Sequence, residues 1–241
     1  MATFATFQNI LPDPNNTIGV AGQVAGDAGP GFASVRLKSS QPVISDSTNS
    51  GQLLARAIAA HKWSVDISYN PMVRSDFENI YSFILSKRGG LTPFYVSLPQ
   101  YRVPQDATFA AWTDTINLDA TGALLAGTTS ALLGKGGYSN TTNKTPLPGD
   151  LFNIDGVNSN HTKTYMVTRV ETTSDYQSGQ PQPTGSQVRI HFVPGLQKGV
   201  ASADDFVFHN PLIKVVAKDV QEYSLKTDNL YQFSLSLEEV Q

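Results

Sequence analysis

Residues 61–99, HKWSVDISYNPMVRSDFENIYSFILSKRGGLTPFYVSLP, carry the clearest secondary-structure signal in the 241-residue chain. Apolar and polar residues alternate over 63–69, and this period of two predicts a strand with one buried face. Asn70-Pro71 ends the strand, because proline has no backbone N–H to give to a sheet. The alternating apolar positions are Trp63, Val65, Ile67 and Tyr69.

A helix over about 75–88 follows the strand, because apolar residues recur there at helical spacing. Ser75 precedes Glu78 by three positions, which predicts a capping box at the helix start. Gly89-Gly90 predicts a left-handed stop, and a second strand is expected over 94–98. The apolar stripe of the helix consists of Phe77, Ile80, Tyr81, Ile84 and Leu85.

The remainder of the chain is mostly strand-like. Residues 1–31 are rich in glycine, proline and asparagine and are interpreted as an extended arm or loop. Residues 39–50 are interpreted as a polar connection, and 122–137 as a low-complexity bridge. Residues 51–60 fit a helix or a strand, and their alternation favours the strand. Further strands are predicted over 32–38, 113–118, 151–154, 164–170, 188–193, 205–209, 212–217 and 230–239.

The composition changes after residue 99, which suggests a core domain with an insertion. Residues 1–99 and 211–241 would form the core domain, the latter range supplying its closing strands. Residues 100–210 would form an all-β insert, since prolines lie at both crossings. Each part then has an ordinary domain size.

Composition excludes several classes of protein. Charged residues make up 15% of the chain, below the usual level of about 25%, so Ser, Thr, Asn and Gln must cover the surface. The net charge is −3 and the sequence contains no basic run, so no specific nucleic-acid binding is predicted. No stretch approaches the roughly 20 apolar residues of a membrane span. The chain has no cysteine, which removes disulfides and thiolate chemistry.

No constellation of catalytic residues is visible in the sequence. A metal site built from His161, His191 and Asp204 or Asp205 is conceivable, but no metal-ligand spacing supports it. Residues 134–137 (GKGG) lack the spacing of a phosphate loop and are interpreted as a turn. We therefore predict no catalytic residue, no cofactor and no metal, and the protein is not expected to be an enzyme. The four histidines are His61, His161, His191 and His209.

Residues 61–99 resemble, as a unit, the core of tailed-bacteriophage distal tail proteins and related tube-like baseplate components. In that pattern a tryptophan-led strand precedes an aromatic-rich helix and a glycine turn into the next strand. The closing strand 231–239 also resembles these proteins, as do the insert segments 148–152, 163–167 and 188–196. The matching residues of the core are Trp63, Val65, Ile67, Tyr69, Phe77, Phe83, Gly89, Gly90 and Phe94.

The resemblance implies a mainly-β fold, with a tail-tube-like β-sandwich core, one flanking helix and an inserted small β-barrel. It also implies a virion tail protein, assembled in the bacterial cytoplasm as a hexameric ring. Such a ring joins the tail tube protein to the baseplate hub or tip protein and supports receptor-binding or side-fibre proteins. The alternative is a carbohydrate-binding or adhesive β module, for which Trp112 is the main candidate. Core and interface positions would carry the structural role; they are Trp63, Val65, Ile67, Tyr69, Phe77, Tyr81, Phe94, Tyr231 and Phe233.

Overall fold

The computed structural model describes residues 9–12, 31–57, 61–112, 116–119, 123–134, 137–155, 161–176, 181–202, 204–218 and 222–240. The chain divides into two compact units, one made of Met1–Ser97 with Ile213–Gln241 and the other of Leu98–Leu212. The described residues are mainly β, which confirms the predicted fold class. Of the helices described, none is both long and apolar enough to cross a bilayer.

The elements are named here in chain order. The first part contains β1 (Phe32–Ser40), β2 (Val43–Ser47), β3 (Leu53–Ala57), β4 (Lys62–Tyr69), α1 (Arg74–Ser86) and β5 (Phe94–Ser97). A 3-10 turn (Pro99–Tyr101) leads to α2 (Ala107–Ala110), β6 (Ile116–Leu118), β7 (Ser130–Gly134), β8 (Leu151–Asp155), β9 (Tyr165–Glu171), β10 (Gln187–Val193) and β11 (Asp205–Val207). The chain closes with β12 (Leu212–Ala217), β13 (Tyr223–Leu225) and β14 (Tyr231–Glu239).

The first unit is built on a six-stranded sheet in the order β1-β4-β14-β12-β5, with β13 paired to β14 beside this path. The two long strands that the sequence predicts most clearly, β4 and β14, are central neighbours: Ile67 pairs with Leu235. Because side chains alternate across a strand, the odd-numbered residues of both strands share the buried face of the sheet.

Helix α1 begins one residue earlier than predicted and without the predicted capping box. Its N-cap is Val73, which makes no side-chain capping bond, and Ser75 lies inside the helix. The reason is a bridge before the helix: Met72 and Tyr231 exchange backbone hydrogen bonds of 3.0 and 2.8 Å, which hold the chain extended up to Val73. Glu78 instead pairs with Arg74 on the helix surface.

The predicted glycine stop of α1 is confirmed at Gly89, whose φ is +65°. Arg88 also adopts a left-handed conformation, with φ of +52°, so the turn begins before the glycines. The N–H of Lys87 donates to the carbonyl of Ile84, which satisfies part of the helix C-terminus.

The second unit contains a closed barrel in the order β10-β7-β6-β11-β8-β9. This confirms the inserted small barrel. Its interior is one aromatic-rich cluster around Phe152, Tyr165, Phe192 and Phe206. The interpretation of 122–137 as a low-complexity bridge is wrong, because it contains β7, which pairs with both β10 and β6 and buries Leu133.

The N-terminal residues that the structure describes, 9–12, lie along the edge of β5. The N–H of Tyr95 donates to the carbonyl of Asn9 at 2.8 Å, and the N–H of Leu11 donates to Tyr95 at 2.7 Å. Leu11 is fully buried, and the Tyr69 hydroxyl donates to the Pro12 carbonyl. The rest of the predicted arm, 1–8 and 13–30, lies outside the described residues.

Candidate functional site: assembly surfaces

The nine predicted core and interface residues occupy the interior of the first unit. Seven are buried, and Tyr81 and Tyr231 are half-buried. Their packing within one chain is therefore described, whereas a role between copies stays a prediction. The buried seven are Trp63, Val65, Ile67, Tyr69, Phe77, Phe94 and Phe233.

An aromatic cluster joins α1 to the buried face of the sheet. The Phe77 ring stacks on Tyr231 with 4.5 Å between centroids and meets Phe233 edge-on at 5.9 Å. Tyr81 and Tyr223 extend the cluster towards solvent. Offset and edge-to-face aromatic pairs each add about 0.5–1.5 kcal/mol beyond area burial. Helix α1 therefore covers this face of the sheet.

Strands β2 and β3 form a two-stranded hairpin outside the main sheet. The preference for a strand in 51–60 is confirmed by β3, whereas the interpretation of 39–50 as a connection is wrong, because it contains β2. The hairpin exposes four large apolar side chains, each between 52 and 68% accessible. Isolated two-stranded hairpins are only marginally stable in water. The four side chains are Val43, Ile44, Leu53 and Leu54.

The two faces of the hairpin differ in charge. Pairing register places Val43, Ser45 and Ser47 on one side with Leu53 and Ala55, so that side is uncharged. The other side carries two apolar and two oppositely charged residues, and each of them is exposed. Those residues are Ile44, Asp46, Leu54 and Arg56. The hairpin thus has one uncharged side and one side that combines apolar and charged side chains.

Strand β1 is the last strand on one side of the six-stranded sheet, and none of the residues that the structure describes pairs with its outer edge. It has nine residues and pairs within the described chain with β4. The opposite outer strand, β5, is bridged by residues 9–11 through Tyr95. An open row of backbone N–H and C=O groups is a template for pairing with another chain.

The outer face of the sheet, opposite α1, carries ion pairs. Lys38 contacts Asp66 at 2.6 Å, and Lys62 contacts Glu238 at 2.6 Å. The bond from Lys38 lowers the pKa of Asp66, and the bond from Lys62 lowers that of Glu238. Both carboxylates therefore remain ionised at neutral pH.

The barrel contains a buried carboxylate beside two arginines and a histidine. Glu171 is fully buried, and His191 lies 3.0 Å from its carboxylate. Arg189 and Arg169 approach it at 3.4 Å. His191 thus faces the neighbouring strand β9. The cluster links β9 to β10 beside the irregularity at His191 in their pairing.

The other histidines make separate contacts. His161 lies 3.2 Å from the carbonyl of Gly199, and His209 lies 2.8 Å from the carbonyl of Ala110. Asp204 accepts from the N–H of Ala201. Over the ranges described above, no group of three or more histidine or acidic residues is arranged to hold a metal ion.

Trp112, the candidate for stacking on a sugar, packs against the barrel core. It is half-buried, and its ring meets Tyr138 edge-on with 6.0 Å between centroids. The indole nitrogen is itself buried. Trp112 therefore packs within the second unit, which is the alternative to a sugar-binding role for this side chain.

The described geometry defines a class: a mainly-β protein with a helix-covered sheet, an inserted closed barrel and an open strand edge beside a free hairpin. Residues 11–101 match the family model described as distal tail protein pb9, A domain, N-terminal. The match supports a tailed-phage distal tail protein, so the resemblance predicted from the sequence is confirmed, and it indicates a structural role in the virion tail. A comparison with curated proteins gave no match.

Proposed function

We propose that the protein forms a ring, with six copies, that connects the phage tail tube to the baseplate hub or tip and supports peripheral proteins. The family match supports the tail location. The observation that carries the ring is the free β2–β3 hairpin with its exposed apolar side chains.

The partner that covers the hairpin is a second copy of the chain. β2 follows the outer strand β1 after two residues, so a neighbouring copy that pairs with β1 can also reach the hairpin. A neighbouring copy can bury the uncharged side of the hairpin, while Asp46 and Arg56 give the other side both signs of charge for register. Burial in the assembly supplies the apolar contacts that the hairpin lacks in one chain.

The test is the assembly state of a hairpin variant. Val43→Ser with Leu53→Ser removes the two large exposed apolar side chains of the uncharged side. Light scattering should give a multi-copy mass for the wild type and a shift towards the monomer for this variant. The control is Leu125→Ser, which removes an exposed leucine of the second unit, 76% accessible, and should leave the mass unchanged.

Two outcomes contradict the proposal. If the wild type is monomeric at every concentration and in tail particles, the proposed ring does not exist. If the hairpin variant has the wild-type mass, the protein still assembles, and the hairpin is not part of the contact between copies. Electron microscopy of particles counts the copies and places them relative to the tube.

A further inference from the structure

Positive charge accumulates on the outer face of the sheet, although the chain as a whole carries −3. Register places Arg36 and Lys38 of β1 on the same face as Asp66 and Ser236. It places Val216 beside Glu238 on that face, so Lys214 and Lys218, two positions away on either side, point the same way. With Lys62, five cationic side chains share the face with two carboxylates, Asp66 and Glu238.

The two carboxylates of the outer face are already engaged with lysines. Asp66 and Glu238 each contact a lysine at 2.6 Å, which leaves a formal excess of three positive charges. The charged residues that flank β13 are Glu222, Lys226 and Asp228, which together add one negative charge beside the face. Arg36 and Lys218 are exposed at opposite sides of the face, and Lys214 is half-buried.

The other side chains of the outer face are mostly hydroxyls. Ser34, Ser68 and Ser234 form one row across three strands, and Ser64 and Ser236 lie within the charged region. Val216 is the apolar exception among the paired positions named here, and it is half-buried. Lysine, arginine and serine are donors to phosphate oxygens. A protein partner would instead need buried apolar anchors.

We propose that the outer face of this sheet contacts the phosphodiester backbone of duplex DNA without reading its sequence. The setting rests on the proposed ring. If subunits of that ring meet through strand edges, one face of each sheet points to the inside of the ring, and α1 covers the other face through Phe77 and Phe233. The cations escape a search of the sequence because they lie on three strands, whose pairing brings them together.

The experiment measures binding of the full chain to a short mixed-sequence DNA duplex by fluorescence anisotropy across a salt series. Neutralising three to four phosphates gives a slope of log K against log salt of about −3 to −4. Arg36→Ser with Lys218→Ser should flatten the slope by about 2 and weaken binding at least tenfold at about 50 mM salt. The matched control is Arg74→Ser with Lys198→Ser, which has the same charge change on exposed residues outside the face.

Support requires that the control variant binds as the wild type does while the face variant loses affinity. Equal loss in both variants would overturn the proposal, because net charge alone would then explain binding. Polyglutamate that binds as tightly as DNA would also overturn it, since the face would then be a dock for acidic protein. Light scattering of the same samples shows whether each variant still assembles. A loss of DNA binding at an unchanged mass is thereby distinguished from a failure of ring assembly.

Discussion

Phe152 lies at the centre of the barrel, and its truncation tests how that unit is held together. The ring is fully buried. Its strand, β8, is hydrogen-bonded to β11 on one side and β9 on the other, so the backbone cannot collapse into the space left by Phe152→Ala. The expected cost is about 3–5 kcal/mol of unfolding free energy. Its ring partners, at 5.2–5.5 Å, are Tyr165, Phe192, Phe206 and Phe208.

Calorimetry and urea unfolding measure the cost of Phe152→Ala. For a unit of this size the cost corresponds to a fall in Tm of roughly 10–20 °C. If the two units fold independently, one transition moves and the other stays. Leu125→Ala, in an exposed position of the same unit, should change stability by less than about 0.5 kcal/mol. A loss below about 1 kcal/mol for Phe152→Ala would refute the packing argument, and a single shifting transition would refute independent units.

Two further predictions concern buried or half-buried ionisable groups of the barrel. Glu171→Gln should cost about 3–5 kcal/mol, because it leaves the buried Arg189 guanidinium without its carboxylate. Adding Arg189→Met to that variant should restore part of the loss in urea unfolding, and a further additive loss would contradict the pairing. Burial lowers the pKa of His161, so the unfolded chain binds a proton that the folded chain rejects, and stability should fall as pH drops below about 6.5. His161→Gln should flatten this fall in unfolding experiments between about pH 7 and 5, and an unchanged pH profile would contradict it.

The sequence predicts the elements whose local pattern agrees with their tertiary environment. Over β4 the alternation of apolar residues matches a sheet with one buried face, and the helical stripe matches α1. The start of α1 could not be predicted, because the bridge between Met72 and Tyr231 overrides the local capping signal. That bridge joins residues far apart in sequence.

The assembly surfaces are harder to predict than the core. β2 has the sequence VISDS and is exposed along its whole length, so no buried face leaves a periodic pattern. The strand β7 is hard to recognise in the sequence, because the residues around it are rich in glycine and threonine. The carboxylate of Glu171 lies in a strand whose pattern would equally fit an exposed residue. The family resemblance supplied what periodicity could not, namely the expectation of a barrel in the insert.

The N-terminal contact at Tyr95 limits how many neighbours the sheet can take. With residues 9–11 along β5, the long strand β1 keeps an outer edge with which no described residue pairs, and so does the short strand β13. A subunit with one self-complementary edge stops at a two-fold pair, whereas a closed ring needs two different complementary surfaces. In the proposed ring, the hairpin is the second surface. The angle between β1 and the hairpin of each subunit would then set the copy number of the assembly.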